Sequence, residues 1–518
     1  MDHQNCQTAS VPIAKEQKYD RQLRLWAAHG QQALEEAEIL LINTGSGTVG
    51  VETLKNLVLP GVGKFTIIDD AKVCDADLGV NFFLDKNSLG SYRAECCVRH
   101  LQELNPEVKG DFHSVLDVRS FKSYLENRSF SFVLHTFPIR PDLLAIVEKH
   151  VASYKIPLIS IHSVGFYSYF KIKLPTVLPI VDTHPEFEAT TDLRLLNPWK
   201  ELSEYSASLT KEIKTLSAHE HGHIPYVALL LHFLDEWKKI HGTVPLKYAE
   251  KKAFKEFVAA GAREVGEENF EEAIAAIMKT IKSPSLSSSI REVFEHLPQD
   301  PESNLSFWII ADAIKQFYAR HKVLPLPGSL PDMKAESTVY VKLQNIYKAK
   351  SRQDVAEVLE LIQNHPSYKI VSKTDVEDFC KNAAFVKLIH PSDDTKLDIK
   401  AIVEKELIND DPSLDLQPPS LLPIYLALKA TSHVSAASST DILAIIEENT
   451  PKAAALKRVR SISEEVARAR GGELHNISAF TGGMVAQEVI KIITRQYIPI
   501  DNTCIFDGIT SRIQVINL

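Results

Sequence analysis

The chain has 518 residues, 44% of them hydrophobic and 24% charged, which is ordinary globular composition with length enough for two or three domains and a large core. A formal net charge of −9 argues against a non-specific nucleic-acid role. The six cysteines form no C-x-x-C pair, and adjacent Cys96 and Cys97 do not suit tetrahedral zinc ligation, so free thiols in a reducing compartment are expected.

The opening Met1-Asp2-His3-Gln4-Asn5 lacks the basic-then-apolar pattern of a secretory signal. Strand and helix then alternate. Ile39 to Asn43 reads as a buried strand, Val49 to Leu57 as a helix, and Phe65 to Ile68 as a second strand. Ser91 to Leu104 reads as a helix ended by Asn105-Pro106. Phe130 to Leu134 is a further strand, Pro141 to Tyr154 a helix with Pro at its first position, and Pro157 to Ile161 another strand. This alternation predicts an α/β fold with a mostly parallel sheet covered on both faces.

Beyond about residue 180 the pattern becomes helical. Apolar stripes recur at helical spacing in Phe270, Ala273, Ile274, Ile277, Met278 and Ile281, in Phe307, Ile310, Ile314 and Phe317, and in Val355, Val358, Leu359 and Ile362. Ser289 with Glu292, and Ser351 with Asp354, read as N-cap pairs. The lysine run from Lys247 to Lys255 is interrupted by Glu250 and reads as a solvated helix face. Leu324-Pro325-Leu326-Pro327-Gly328 reads as a joint between helical blocks, and Thr431 to Thr440 as a Ser/Ala-rich loop. No apolar stretch reaches the roughly twenty residues of a membrane span.

From Leu474 mixed character returns, with a helix over Ala479 to Thr494 and a strand at Thr503 to Phe506. Gly482-Gly483 inside that helix costs about 1 kcal/mol per glycine against Ala, so close packing there is the expected compensation. A long helical insertion splitting one Rossmann-like domain accounts for the return. The expected boundaries are 10–178 for the first part of that domain, 179–460 for the insertion and 461–518 for the C-terminal part.

Gly45-Ser46-Gly47-Thr48-Val49-Gly50 follows the first strand and opens the first helix. In such a turn Gly45 allows the bend, Gly47 the approach of a phosphate and Gly50 close helix packing, while the helix N-terminus offers free N–H groups to an anion. Asp69, about twenty residues on, is the candidate acceptor for ribose hydroxyls. These four residues are the candidate nucleotide cradle, and occupancy is left open.

Lys18-Tyr19-Asp20-Arg21-Gln22-Leu23-Arg24-Leu25-Trp26, Leu54 to Gly63 and Gln487 to Thr494 resemble the enzymes that activate ubiquitin-like proteins. Within that family, Pro331-Asp332-Met333 and Tyr340 to Tyr347 are similar to the helical insertion of the regulatory, non-thiol, amyloid-precursor-protein-binding-type subunits of neddylation-activating enzymes. The resemblance covers nearly the whole chain and implies an adenylation-type Rossmann-like domain.

Catalytic members of the family adenylate a modifier's C-terminal carboxylate with ATP and magnesium and pass it to a thiol. Their motifs D-x-D, N-x-N-R-Q-F and G-x-x-K-A follow the second strand. Here Ala71 replaces the second Asp, Gly79, Val80 and Asn81 stand at the Asn, Arg and Gln positions, and Arg93 replaces Lys. The strand ending Leu134-His135-Thr136-Phe137 lacks the magnesium-holding Asp, and His135 reads as structural. Fixed cations and magnesium carry most of such catalysis, and each lost group typically costs on the order of 100–1000-fold. Cys380 shares a helical face with Val376 and Phe379 and reads as core, as do Cys96, Cys97 and Cys504.

The resemblance therefore implies the accessory half of a heterodimer, without a cofactor or metal of its own. A catalytic, thiol-bearing subunit supplies ATP, magnesium and the cysteine, and the modifier is the ubiquitin-like protein that neddylates cullins. Arg21 matches the family arginine that reaches in trans into the partner's ATP site, with Arg24 as a weaker companion; a surface salt bridge with Asp20 is the plainer reading. The protein is expected to be soluble, cytoplasmic and nuclear, with no nucleic-acid or membrane partner. Three alternatives stand beside this reading: an autonomous adenylating enzyme, a dinucleotide-dependent oxidoreductase, and a scaffold with no contribution in trans.

Overall fold

The computed structural model describes residues 14–115, 117–126, 128–186, 192–282, 285–296, 304–391, 399–408, 418–434 and 436–518. The opening Met1 to Asn5, and residues 10–13 of the expected first domain, lie outside them. The strands are β1 (Glu38–Ile42), β2 (Lys64–Ile68), β3 (Lys109–His113), β4 (Phe132–Thr136), β5 (Leu158–Val164), β6 (Tyr167–Lys173), β7 (Leu178–Val181), β8 (Val386–Ile389), β9 (Thr503–Asp507) and β10 (Arg512–Ile516). The chain forms two compact units, one running to Leu178 and resuming at Ile389, the other Pro179–Leu388.

In the first unit eight strands form one sheet in the order β10-β9-β6-β5-β4-β1-β2-β3. Pairing is parallel from β5 through β4 and β1 to β2 and β3, and antiparallel through β6, β9 and β10. This is the expected α/β Rossmann-like sheet. β1, β2 and β4 are central, buried on both faces, and mostly apolar for that reason. Seven helices matter here: α1 (Asp20–Glu36), α2 (Thr48–Val58), α3 (Arg93–Leu104), α4 (Pro141–Tyr154), α5 (Leu422–Ala430), α6 (Lys457–Ala469) and α7 (His475–Thr494). On one face Leu143, Val147 and Val151 of α4 pack against Leu40, Ile42 and Val133. α7 packs along α2. A Cβ on Gly482 would stand 2.8 Å from the Thr53 nitrogen, whereas one on Gly483 meets open space, so only the first glycine answers to close packing.

The expected end of the insertion at 460 differs from the structure, where the chain returns to the sheet unit at Ile389. Leu422, Ile424, Tyr425 and Leu428 of α5, with Val459, Ile462 and Val466 of α6, bury their side chains with Tyr167, Tyr169 and Ile505 of the sheet. Helical periodicity alone does not say which core a helix joins.

The second unit begins and ends on β7 and β8, which pair with each other. Its core gathers Val227, Leu230 and Trp237 with Phe254, Phe270, Ile277, Leu343 and Tyr347. Neither expected N-cap pair forms. Ser287, not Ser289, caps the helix Ser288–Glu295, accepting from the Ile290 amide. Ser351 lies inside the 27-residue helix Ser337–Gln363. Asp354 is buried in that helix because its carboxylate accepts the Leu326 amide at 2.9 Å and so fixes the Pro-rich joint.

Candidate functional site

The glycine turn lies between β1 and α2. Gly45 and Gly47 have φ of 64° and 70°, the left-handed region that favours glycine. The space beside these glycines belongs to the chain itself. A Cβ on Gly45 would stand 2.7 Å from Pro138 Cδ, one on Gly47 would collide with the Asn43 side chain, and one on Gly50 would meet Asn43 Oδ1 at 2.5 Å. The turn is also tied to the end of β4: the Thr44 amide donates to Thr136 Oγ1 at 2.7 Å, and Thr44 Oγ1 donates to the Thr136 carbonyl at 2.6 Å.

Arg93, at the start of α3, points into the site. Its Nε donates to Asp69 Oδ2 at 2.7 Å, and Nη1 to Asp77 Oδ1 at 3.1 Å. Nη1 and Nη2 also donate to the Ser46 and Gly45 carbonyls, each at 2.9 Å. One guanidinium thus clamps two carboxylates and the glycine turn. Burial opposes its charge, but Asp69 and Asp77 outweigh burial and raise its pKa further.

Asp69 was the expected ribose acceptor, and the structure gives its oxygens other partners. Oδ2 also accepts from Asn43 Nδ2 at 2.9 Å, and Oδ1 accepts the Ala71 amide at 3.0 Å. Burial pushes this carboxyl up, against the pull of Arg93, the Ala71 amide and Asn43.

The N-terminus of α2 is occupied by Glu473. Its Oε2 accepts the Val49 amide at 2.7 Å across 424 residues of sequence, and accepts Ser478 Oγ at 2.5 Å. Glu473 is delivered by a short bridge to Gly165, whose amide donates to the Gly472 carbonyl at 2.8 Å. Burial pushes the Glu473 carboxyl up to about 6, although Ser478, the Val49 amide and Arg93 pull the other way.

Polar groups that a nucleotide would use are bonded to the chain's own side chains and amides. A phosphate approaching α2 meets a carboxylate already seated on an amide it would use, and like charges at that range repel. A ribose approaching Asp69 finds its acceptors engaged. Val80 and Asn81, at the Arg and Gln positions of catalytic relatives, supply no charge: Asn81 Nδ2 lies 3.6 Å from Cys97 Sγ, and the Val80 carbonyl lies 3.0 Å from His475 Nδ1. His135 is buried in β4 with Nε2 2.7 Å from Ser160 Oγ, and burial pushes it down to about 4. Its place in the strand interior matches the structural reading.

Among the described residues the cysteines are free, and Cys96, Cys97, Cys380 and Cys504 are buried. Burial pushes the Cys97, Cys380 and Cys504 thiols up to about 12, far from a nucleophilic thiolate.

Arg21 lies outside this site, exposed on the first segment of α1. That segment is held at both ends. The buried Tyr19 hydroxyl accepts from Asn105 Nδ2 at 3.0 Å, and Trp26 Nε1 donates to Gln31 Oε1 at 3.0 Å. Helical geometry breaks at Trp26 and Ala27, and Gln496 Nε2 donates to the Trp26 carbonyl at 2.8 Å. Asp20 pairs with Arg24 at 2.9 Å rather than with Arg21, which has no ion-pair partner among the described residues.

Sequence reasoning missed Glu473, Asn43, Asp77 and the inward turn of Arg93. Mixed strand and helix character was expected to return only at Leu474, one residue past the decisive carboxylate, although Glu473 falls inside the expected 461–518 part. The available signal was an acid between Gly471-Gly472 and a largely apolar helix.

A family model described as ThiF family matches residues 19–518. The NEDD8-activating enzyme E1 regulatory subunit of Xenopus laevis is 35% identical, with 96% of this chain and 98% of that protein covered. Its counterpart in Drosophila melanogaster is 34% identical with 96% of each covered. The NEDD8-activating enzyme E1 regulatory subunit AXR1 of Arabidopsis thaliana is 32% identical, covering 97% of this chain and 96% of that protein. With this sheet, this glycine turn and these relatives, the chain belongs to the ThiF family, in the group formed by the regulatory subunits of NEDD8-activating enzyme.

Proposed function

We propose that the chain is the accessory half of a heterodimeric activating enzyme for a NEDD8-type modifier, and that it contributes Arg21 in trans. The observation that carries this reading is the consumption of Arg93: the group at the catalytic lysine position is spent on Asp69, Asp77 and the glycine turn. Among the described residues no other lysine or arginine bonds the glycine turn or Asp69. ATP, magnesium and the thiol are then the partner's, and this chain holds no nucleotide. The free cysteines fit a reducing cytoplasmic and nuclear setting.

Adenylation joins the modifier's C-terminal carboxylate to the α-phosphorus and releases pyrophosphate. Negative charge builds on the phosphate oxygens as this happens. A guanidinium arriving from outside the pocket can span two of those oxygens, which suits Arg21 on its anchored, solvent-facing segment.

An exposed apolar surface at the end of the sheet supports this reading. Ile513 and Val515 of β10 are half exposed on the face of Phe506 and Cys504, their register partners. Phe480 of α7 lies with its ring centroid 4.5 Å from that of Phe506, and it too is about half exposed. An apolar strip of this kind on an edge strand calls for a covering chain.

The test is Arg21→Ala in the assembled heterodimer. ATP–pyrophosphate exchange should fall by about 100-fold with assembly unchanged. An unchanged rate would make the chain a scaffold only.

A further inference from the structure

We infer that Glu473 is the permanent ligand of the glycine cradle, a carboxylate seated where a nucleotide phosphate would sit, and that it locks the two sequence-distant parts of the sheet unit together. Resting on the reading that no nucleotide enters this chain, the inference adds what replaces it.

The chemistry of the site supports an anion. The first amides of an α-helix have no partner within the helix and carry positive potential, so they need an acceptor. The Val49 amide finds its acceptor in Glu473. Gly47, the residue before α2, has no side chain that could cap it. Ser478, in the first turn of α7, donates to the same carboxylate oxygen as Val49. Arg93 provides positive charge nearby. The side chain therefore closes a circuit between the N-terminus of α2 and the start of α7, which pack together along their lengths. A bound nucleotide crosslinks a cradle only while present; a covalently attached carboxylate does so at all times.

The cradle's other side is held the same way. Arg93 draws the Gly45 and Ser46 carbonyls toward itself, so the turn is fixed around the chain's own groups. Removing the Glu473 side chain should leave an empty pocket with an unpaired Val49 amide, a serine hydroxyl and a nearby cation. Small oxyanions match that donor set.

The test uses the full chain, Glu473→Ala and Glu473→Gln, with formate and inorganic phosphate as probes in melting experiments. Glu473→Ala should melt about 2–6 °C below the wild type and recover in millimolar formate or phosphate. Glu473→Gln, which keeps the acceptor oxygen and the volume, should melt no lower than the wild type and not respond. An alanine variant that melts with the wild type, or that melts lower without recovering, overturns the inference. Should the alanine variant not fold, hydrogen exchange at the Val49 amide of the wild type decides: slow exchange indifferent to phosphate supports a resident carboxylate, and slowing by added phosphate overturns it. Failure here leaves the trans role of Arg21 standing, because the exchange kinetics of Arg21→Ala read that role separately.

Discussion

Arg93 Nε lies 2.7 Å from Asp69 Oδ2, a buried ion pair between the residue read as replacing the family's lysine and the expected ribose acceptor. With Asp77 3.1 Å from Nη1, a group that could serve a substrate is committed to the fold.

Breaking that clamp should be expensive. Arg93→Ala leaves Asp69 and Asp77 buried without a counter-charge and should cost about 3–5 kcal/mol. Arg93→Lys restores the family residue, yet one ammonium cannot reach both carboxylates and both carbonyls, and it should cost about 1–3 kcal/mol. Urea unfolding measures both. Neither variant should gain pyrophosphate exchange.

Glu473 sets a pH dependence. Its carboxyl stands at about 6 in the folded chain against the ordinary 4.5, with burial the main cause and Arg93 the charged group facing it. Folding thus favours the protonated form. Its contribution is fully present below about pH 4.5 and is lost as pH rises through about 6. Relative to Glu473→Gln, the wild type should lose about 2 kcal/mol across that window. A difference in stability that stays flat from about pH 4.5 to about pH 7 would contradict the assignment.

The paired glycines of α7 should part company. Gly482→Ala puts a methyl group 2.8 Å from the Thr53 nitrogen and should destabilise by about 1–3 kcal/mol. Gly483→Ala enters open space and should stabilise by up to about 1 kcal/mol through helix propensity. Denaturant midpoints of the two variants should move in opposite directions.

What could be read from the sequence follows burial. β1, β2, β4 and β5 are legible because strands buried in the middle of the sheet carry clusters of apolar residues. β3, reading Lys-Gly-Asp-Phe-His at the sheet edge, has no fully buried residue and no apolar run to betray it. β6 carries Tyr, Ser and Lys among its apolar residues, and the hairpin of β9 and β10 was visible only in its first strand. The glycine turn and Asp69 were found because their spacing is local. Their partners were not, because Glu473 is joined to Val49 across 424 residues and Arg93 reaches 24 residues back to Asp69. Motif spacing locates a cradle but says nothing of what fills it. The 460 boundary failed for a related reason: α5 and α6 have the periodicity of the insertion's helices but bury their faces on the sheet.

The central claim is that this chain's own charges are consumed by its fold, leaving an accessory half. The most direct measurement is ATP–pyrophosphate exchange in the presence of the modifier, by the purified chain alone and then with its catalytic partner. The account predicts no exchange above background from the chain alone and robust exchange from the pair. Exchange sustained by the isolated chain would contradict it.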